Sequence, residues 1–207
     1  AAWLRAAGAR VRCIDLAVER LDEPAVSAAG LVALYLPMHT ATRLAAAVVP
    51  RLKALNPDAH LCFYGLYAPM NEDFLRGLGG ETILGGEFES GLVSLYQRLA
   101  APGADSAPMR QSEPVISLAK QSFRVPDRGD LPALSRYAYL QLGEDERRTV
   151  GYTEASRGCK HLCRHCPVVP VYGGAIRVVQ QEVVLEDIRR QVAAGAEHLT
   201  FGDPDFF

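Results

Sequence analysis

The chain has 207 residues, enough for one large domain or two small ones, and its 49% hydrophobic and 22% charged residues are ordinary for a globular protein. The net charge of -2, without a basic run, argues against a nucleic-acid partner or a membrane surface, and no apolar stretch is long enough to cross a bilayer. Five cysteines without disulfide-like spacing indicate a reducing compartment, so we expect a cytoplasmic protein.

Both ends of the sequence look internal. It begins without Met inside an apparent helix, has no secretion-signal layout, and stops at "GDPDFF", just past an apparent strand. We therefore expect a piece of a longer protein, with a first strand that precedes Ala1.

Strand-like and helix-like segments alternate along residues 1–100. The predicted strands are the apolar runs 11–17, 30–37, 59–65 and 81–87. The predicted helices are 42–55, 71–78 and 89–100. Pro50 should kink or split the first helix, and Asn71 should cap the second. This alternation predicts a doubly wound parallel sheet of Rossmann or flavodoxin type, with ligands at the carboxyl ends of its strands. The lone Cys13 and Cys62 are expected to be buried small hydrophobes.

The second half of the chain differs in amino-acid composition and in its predicted elements. Residues 101–146 are rich in Pro, Ala and Ser and predict a linker or crossover, with a short helix near 134–139. Within 147–207 we predict a strand at 147–156, a helix at 185–196 with Ile188 and Val192 on one face, and a strand at 198–203. Such a βαβ unit belongs to a parallel sheet or barrel.

Most of the chemistry-bearing residues fall in "SRGCKHLCRHCP", residues 156–167. Cys159, Cys163 and Cys166 follow C-x3-C-x2-C, a spacing that lets one loop wrap an iron–sulfur cluster and leave one iron without a protein ligand. Gly158 would permit close backbone approach, while Arg157 and Lys160 bring positive charge. A zinc site with His161 or His165, and a C-x2-C redox pair, stay open as alternatives, although no second pair of ligands exists for zinc.

"SRGCKHLCRHC" resembles the cluster loop of radical S-adenosylmethionine (SAM) enzymes. The resemblance implies that the three cysteines bind a 4Fe-4S cluster, that SAM chelates the open iron, and that its reductive cleavage yields a 5′-deoxyadenosyl radical. His165 stands where the family usually has an aromatic residue near the adenine. The resemblance also implies an electron donor such as flavodoxin or ferredoxin and a small-molecule or peptide substrate, but it identifies no catalytic residue.

Other segments extend the resemblance to nearly the whole chain. "ILGGEFESGLVSLYQRL" is similar to the GE-x-E turn and final helix of a cobalamin-binding-type domain, and "VPDRGDLPALSRY" to the crossover that follows it. "HLTFGDPDFF" resembles the second barrel strand, which implies that Gly202 and Asp203 face the SAM pocket; an Asp-Pro turn is the alternative for Asp203 and Asp205. "RGCKHLCRHCPVVPVYGG" resembles the subgroup named for a CUAEP or CCAEP tail. The implied domains are 1–100, 101–146 and 147–207, the last being the start of a partial (β/α) barrel, too short to turn over SAM alone.

Cobalamin binding stays open at the level of the sequence. The D-x-H-x-x-G loop of base-off cobalamin folds is absent, and Gly65 is followed by Leu66 where relatives carry Gly-Gly. Gly65 and His39, both at strand tips, are the candidate cobalamin contacts, with a plain loop histidine as the alternative for His39. Glu87 and Glu89 are expected to be turn and cap residues, and Arg177 to contact SAM or the linker.

Overall fold

The computed structural model describes residues 1–101 and 112–205 of the chain. The helices in these ranges are α1 (Ala2–Ala6), α2 (Glu23–Ser27), α3 (His39–Leu55), α4 (Glu72–Gly77), α5 (Glu89–Leu99), α6 (Val169–Tyr172) and α7 (Gln181–Ala193). The strands are β1 (Leu31–Tyr35), β2 (His60–Tyr64), β3 (Thr82–Gly86), β4 (Ile116–Ser117), β5 (Tyr139–Gln141), β6 (Arg147–Thr153), β7 (Ser156–Gly158), β8 (Ile176–Val178) and β9 (His198–Phe201). None of the described helices is long and apolar enough to span a bilayer.

The first module is built on a parallel four-stranded sheet in the order β1-β2-β3-β4. Leu31 is in register with His60, and Phe63 with Ile83. Three strands correspond to predicted apolar runs, and β4 comes from the Pro-rich segment, which adds a short edge strand beside β3. The predicted parallel α/β architecture is confirmed.

Helices cover both faces of this sheet because neighbouring residues of a strand point to opposite sides. On one face, Phe63 and Ile83 pack in a buried cluster with α3 and α4. On the other, Cys62 and Leu84 pack against α5, with α1 alongside. Cys62 is fully buried, as predicted, whereas Cys13 is only half-buried, so the prediction for Cys13 was wrong.

The second module contains the predicted βαβ unit. Strands β6 and β9 pair in parallel, α7 connects them, and β5 pairs antiparallel with the other edge of β6. The buried face of α7 is formed by Val184, Asp187 and Gln191, whereas Val192 is 54% exposed. Ile188 and Val192 share one face of α7, as predicted, but only Ile188 is half-buried. Gln191 takes part in the buried face because the backbone of β6 offers it a polar partner: the Tyr152 N–H donates to Oε1 of Gln191, and the Tyr152 carbonyl accepts from its Nε2.

Four local predictions are corrected by the structure. Residues 11–17 form no strand, since their backbone groups bond to side chains: Val11 O accepts from Arg5, and Cys13 N–H donates to Asp130. Helix α3 continues through Pro50, because packing of its buried side chains on the sheet outweighs the missing hydrogen bond. Residues 134–136 form a single 3-10 turn rather than a longer helix. Asn71 does precede α4, but its side chain donates to Tyr67 O instead of capping the helix.

Candidate functional site: the three-cysteine loop

A short antiparallel hairpin closes the loop that carries the three cysteines. Strand β7 pairs with β8, so that Arg157 lies opposite Arg177 and Gly158 opposite Ile176. Just outside the hairpin, Val179 N–H donates to Ala155 O at 2.8 Å. We call residues 159–175, between these two strands, the cysteine loop. Its base is held by regular hydrogen bonding, and its first half is the solvent-facing tip.

The cysteine thiols lie at this tip as free thiols. Cys163 is exposed, while Cys159 and Cys166 are half-buried and pack against the apolar cluster around α6. One backbone hydrogen bond, from Cys166 N–H to Cys163 O at 3.2 Å, makes a turn between two of them. Within residues 1–101 and 112–205, no three His, Cys, Asp or Glu side chains are gathered closely enough to hold a metal ion. In donor type and number, three thiols on one accessible loop nevertheless fit an iron–sulfur cluster with one open iron.

Gly158 makes the closest backbone approach at the base of the loop. Its φ is +75°, in the left-handed region. A Cβ at this position would overlap Ala175 O and would lie 2.6 Å from Cδ1 of Tyr172. The glycine thus serves the contact between the two sides of the loop, whereas the sequence had suggested approach to a cluster.

Arg157 is surrounded by carboxylates. Its Nη1 lies 2.6 Å from Oε1 of Glu89 and 3.5 Å from Oε2 of Glu87, and its Nε lies 3.4 Å from Oε2 of Glu154. Burial alone would lower the pKa of Arg157, but these carboxylates, Glu89 first, raise it above its ordinary value. The guanidinium is therefore charged at every relevant pH and is directed at the first module.

Two aromatic rings enclose the same guanidinium. Its central carbon is 5.4 Å from the ring centre of Phe88 and 5.0 Å from that of Phe123. Cation–π contacts of this kind strengthen when the cation is shielded from water, as it is here. Phe88 belongs to the turn between β3 and α5 and Phe123 to the crossover, so both segments fix the position of Arg157.

Glu87 connects this cluster to the cysteine loop by a second route. It is 1% exposed, accepts from the Tyr172 hydroxyl at 3.2 Å, and accepts from Nε2 of Gln121 at 3.1 Å. Burial raises the pKa of Glu87, and the positive charge of Arg157 offsets this only in part. Glu87 lies in the turn before α5 and Glu89 in the first turn of that helix, as predicted, but neither side chain caps α5 and both bind Arg157.

Asp203 lies at the foot of the cysteine loop. Its carboxylate accepts from Ser156 Oγ at 2.6 Å and from Ala155 N–H at 3.0 Å. The preceding Gly202 has no room for a side chain, because a Cβ would overlap the Tyr152 hydroxyl. Contact of Asp203 or Gly202 with SAM stays a prediction, and the observed role of Asp203 is to tie β9 to β7.

Asp205 reaches the tip itself. The Cys159 thiol donates to Oδ2 of Asp205 at 3.7 Å, and Nε2 of His161 lies 3.8 Å from the same oxygen. His165 is exposed at the tip, where its proposed place near an adenine is untested. Arg177 donates to Leu118 O, so it contacts the linker, one of the two partners expected for it.

The two candidate cobalamin residues lie at the carboxyl edge of the sheet, as predicted. His39 is exposed at the start of α3. Gly65 has φ +112°, and a Cβ there would lie 2.9 Å from both Leu36 O and the ring of Tyr35. Leu66, the next residue, packs against the apolar cluster of α6. The space above Gly65 is thus already occupied by Tyr35.

An aromatic cavity of about 390 Å³ between the two modules was missed by the sequence reasoning. Tyr35, Tyr64 and Phe88 form its sheet side, with ring centres of successive pairs 5.2 and 5.0 Å apart. Tyr152, of β6, lies on the side of the second module. The signal in the sequence was an aromatic residue at the end of two successive strands and another just after the third, a position that marks the ligand edge of a parallel sheet.

Comparison with known proteins gives matches in structure only. No protein-family model and no curated protein matches the chain in sequence. One solved structure with a similar fold is the radical SAM methyltransferase TsrM from Kitasatospora setae with tryptophan substrate and a SAM analogue bound, at TM-score 0.65 and 16% identity. The same methyltransferase with cobalamin and a [4Fe-4S] cluster bound gives TM-score 0.64 and 15% identity. Each match covers 99% of this chain but only 44% of the other, and at such identity it shows the fold alone.

Proposed function

We propose that this chain carries the cluster-binding part of a radical SAM enzyme, preceded by a cobalamin-type α/β domain. The observation that carries the proposal is the cysteine loop: three free thiols at the accessible tip of a loop whose base is closed by a hairpin. The fold supports it, because both modules together resemble a methyltransferase that binds SAM, cobalamin and a [4Fe-4S] cluster.

In this proposal Cys159, Cys163 and Cys166 would hold a 4Fe-4S cluster, and its one iron without a protein ligand would be available to SAM. When bound, the cluster supplies one electron for the reductive cleavage of SAM. The protein supplies placement and charge. Lys160 and Arg164 are exposed on the tip beside the thiols, and their positive charge favours an anionic iron–sulfur cluster. The apolar side chains around α6 shield Cys159 and Cys166 from water.

The outcome of the reaction has two versions, methyl transfer through cobalamin or a cobalamin-free C–H modification. The likeness to a cobalamin-bound methyltransferase supports the first. The residues at Gly65 do not fit a nucleotide tail laid over that glycine, because Tyr35 occupies the space. The characteristic visible bands of cobalamin, recorded after incubation with the protein, decide between methyl transfer through cobalamin and the cobalamin-free reaction.

Metal analysis of anaerobically reconstituted protein tests the proposal. We expect a brown protein with about four irons and four sulfides per chain. Replacing any one of the three cysteines with Ala should abolish most of the iron, whereas Cys62→Ala, remote from the loop, should not. A colourless protein with one zinc and no sulfide would instead establish the zinc-binding module, and it would overturn the proposal.

Turnover needs more protein than this chain. The chain covers 44% of the length of the similar methyltransferase structures, and a barrel typically needs about 200 residues or more. We propose that this stretch alone binds the cluster without producing 5′-deoxyadenosine, and that the whole protein, given a reductant such as flavodoxin or ferredoxin, does produce it. Production of 5′-deoxyadenosine by this stretch would refute the first statement.

A further inference from the structure

We propose that Arg157 is a positioning residue for the cysteine loop: its guanidinium, held by carboxylates of the first module, sets the direction in which the loop leaves β7 and so the placement of Cys159. The inference rests on the proposed cluster site. It adds that the site is aligned by the neighbouring α/β module, through a residue that touches neither cluster nor substrate.

Three carboxylates hold the side chain of Arg157. Glu89 begins α5, Glu87 directly follows β3, and Glu154 directly follows β6. The guanidinium thus joins segments 70 residues apart in the chain. With 23% of its side chain exposed, Arg157 is held in a shielded site where charge-assisted hydrogen bonds are strong.

The backbone transmits this position directly to the first thiol. Arg157 lies two residues before Cys159, and Gly158 between them is fixed by its contact with Tyr172. Tyr172 in turn donates to Glu87, and its ring belongs to the apolar cluster against which Cys159 packs. Both sides of the loop are therefore tied to the same carboxylate.

An alternative role, in which Arg157 simply adds positive charge to the cluster, does not match its orientation. Its guanidinium points at three carboxylates, which together carry more negative charge than it balances. Arg164, on the tip itself and exposed, is the better placed cation for that purpose. This contrast provides a matched control on the same loop.

The test measures iron retention in anaerobically reconstituted protein titrated with a competing iron chelator. Loss of a residue that orients metal ligands usually weakens metal binding about 10–100-fold. We expect Arg157→Met to release half its iron at about tenfold lower chelator concentration than the unmodified protein. Arg157→Lys keeps the positive charge but not the planar guanidinium with its several N–H donors, so it should recover part of the lost iron retention. The electron paramagnetic resonance spectrum of the reduced cluster should change in Arg157→Met.

Arg164→Met is the comparison variant: it removes one positive charge from the tip of the same loop without touching the carboxylates that hold Arg157, and it should weaken iron retention less than Arg157→Met does. If it weakens retention as much as Arg157→Met, loop charge rather than placement is responsible, and the inference fails. It also fails if Arg157→Met leaves retention within twofold and the spectrum unchanged. Should Arg157→Met not fold, Glu89→Gln, of nearly the same shape, decides by the same criteria. If the unmodified protein binds no iron, the proposed function itself is wrong, which is a distinguishable result.

Discussion

Replacing Gly158 with Ala tests the tight base of the cysteine loop. Gly158 combines a left-handed backbone, with φ +75°, and a position where a Cβ overlaps Ala175 O and approaches Tyr172 Cδ1 to 2.6 Å. An alanine must therefore adopt an unfavourable backbone conformation and also separate the two sides of the loop. The expected result is a protein that folds but unfolds more easily.

The size of the effect follows from two separate costs. The left-handed conformation costs a residue with a Cβ about 1–2 kcal/mol. Overpacking against atoms that cannot move freely adds about 1–3 kcal/mol, for a total of about 2–5 kcal/mol. This is a large fraction of a stability of about 5–15 kcal/mol, which is typical of domains. Gly173→Ala supplies the control, because Gly173 has φ +55° with no atom within 4 Å of its would-be Cβ, so that only the first cost applies.

Urea unfolding of the metal-free variants, followed by circular dichroism, gives both free energies of unfolding. The lower entropy that alanine gives the unfolded chain is common to the two variants and cancels in the comparison. Gly158→Ala should lose about 1–3 kcal/mol more than Gly173→Ala. Equal losses at the two glycines would show that β7 and α6 do not meet as closely as described.

Two further predictions concern buried carboxylates. Asp187→Ala leaves Arg128 and the Thr153 hydroxyl without their shared acceptor. The free energy of unfolding, measured in urea, should therefore fall by about 3 kcal/mol. The double variant that also lacks Arg128 should lose less than the sum of the two single losses. Because the pKa of Glu87 is raised, the folded protein binds that proton more tightly than the unfolded chain, and stability should decline as pH rises from the ordinary carboxyl pKa to the raised one. Glu87→Gln should remove this part of the pH dependence in urea titrations of metal-free protein; an identical profile in both proteins would contradict the assignment.

The parallel sheet could be predicted because its strands are continuous apolar runs between helices. Phe63 and Ile83, in the middle of two such runs, are fully buried. Residues 11–17 look the same in sequence, yet their backbone bonds to Arg5 and Asp130. An apolar run becomes a strand only beside another strand, and that neighbour is not visible locally. The two-residue β4 is too short to produce any periodic signal.

The candidate ligands of the site could be proposed from the sequence, whereas the contacts that hold the cysteine loop in place could not. Cys159, Cys163 and Cys166 lie within one loop, so their spacing alone suggested a shared role. The contact of Arg157 with Glu87 spans 70 residues and leaves no periodic pattern. The available signal was charge in apolar surroundings: buried Glu87 follows an apolar strand, and burial of such a residue requires a partner. The sequence could not say that the partner was two residues before a cysteine.

The closed hairpin under the cysteine loop also bears on how such a protein would be made. The two large apolar clusters pack on the faces of the sheet and involve none of the loop thiols. Small zinc domains, by contrast, are unfolded until their metal arrives. Under the proposed function, the polypeptide can reach its shape first and receive the cluster afterwards. Before that, the exposed Cys163 is the thiol most open to oxygen.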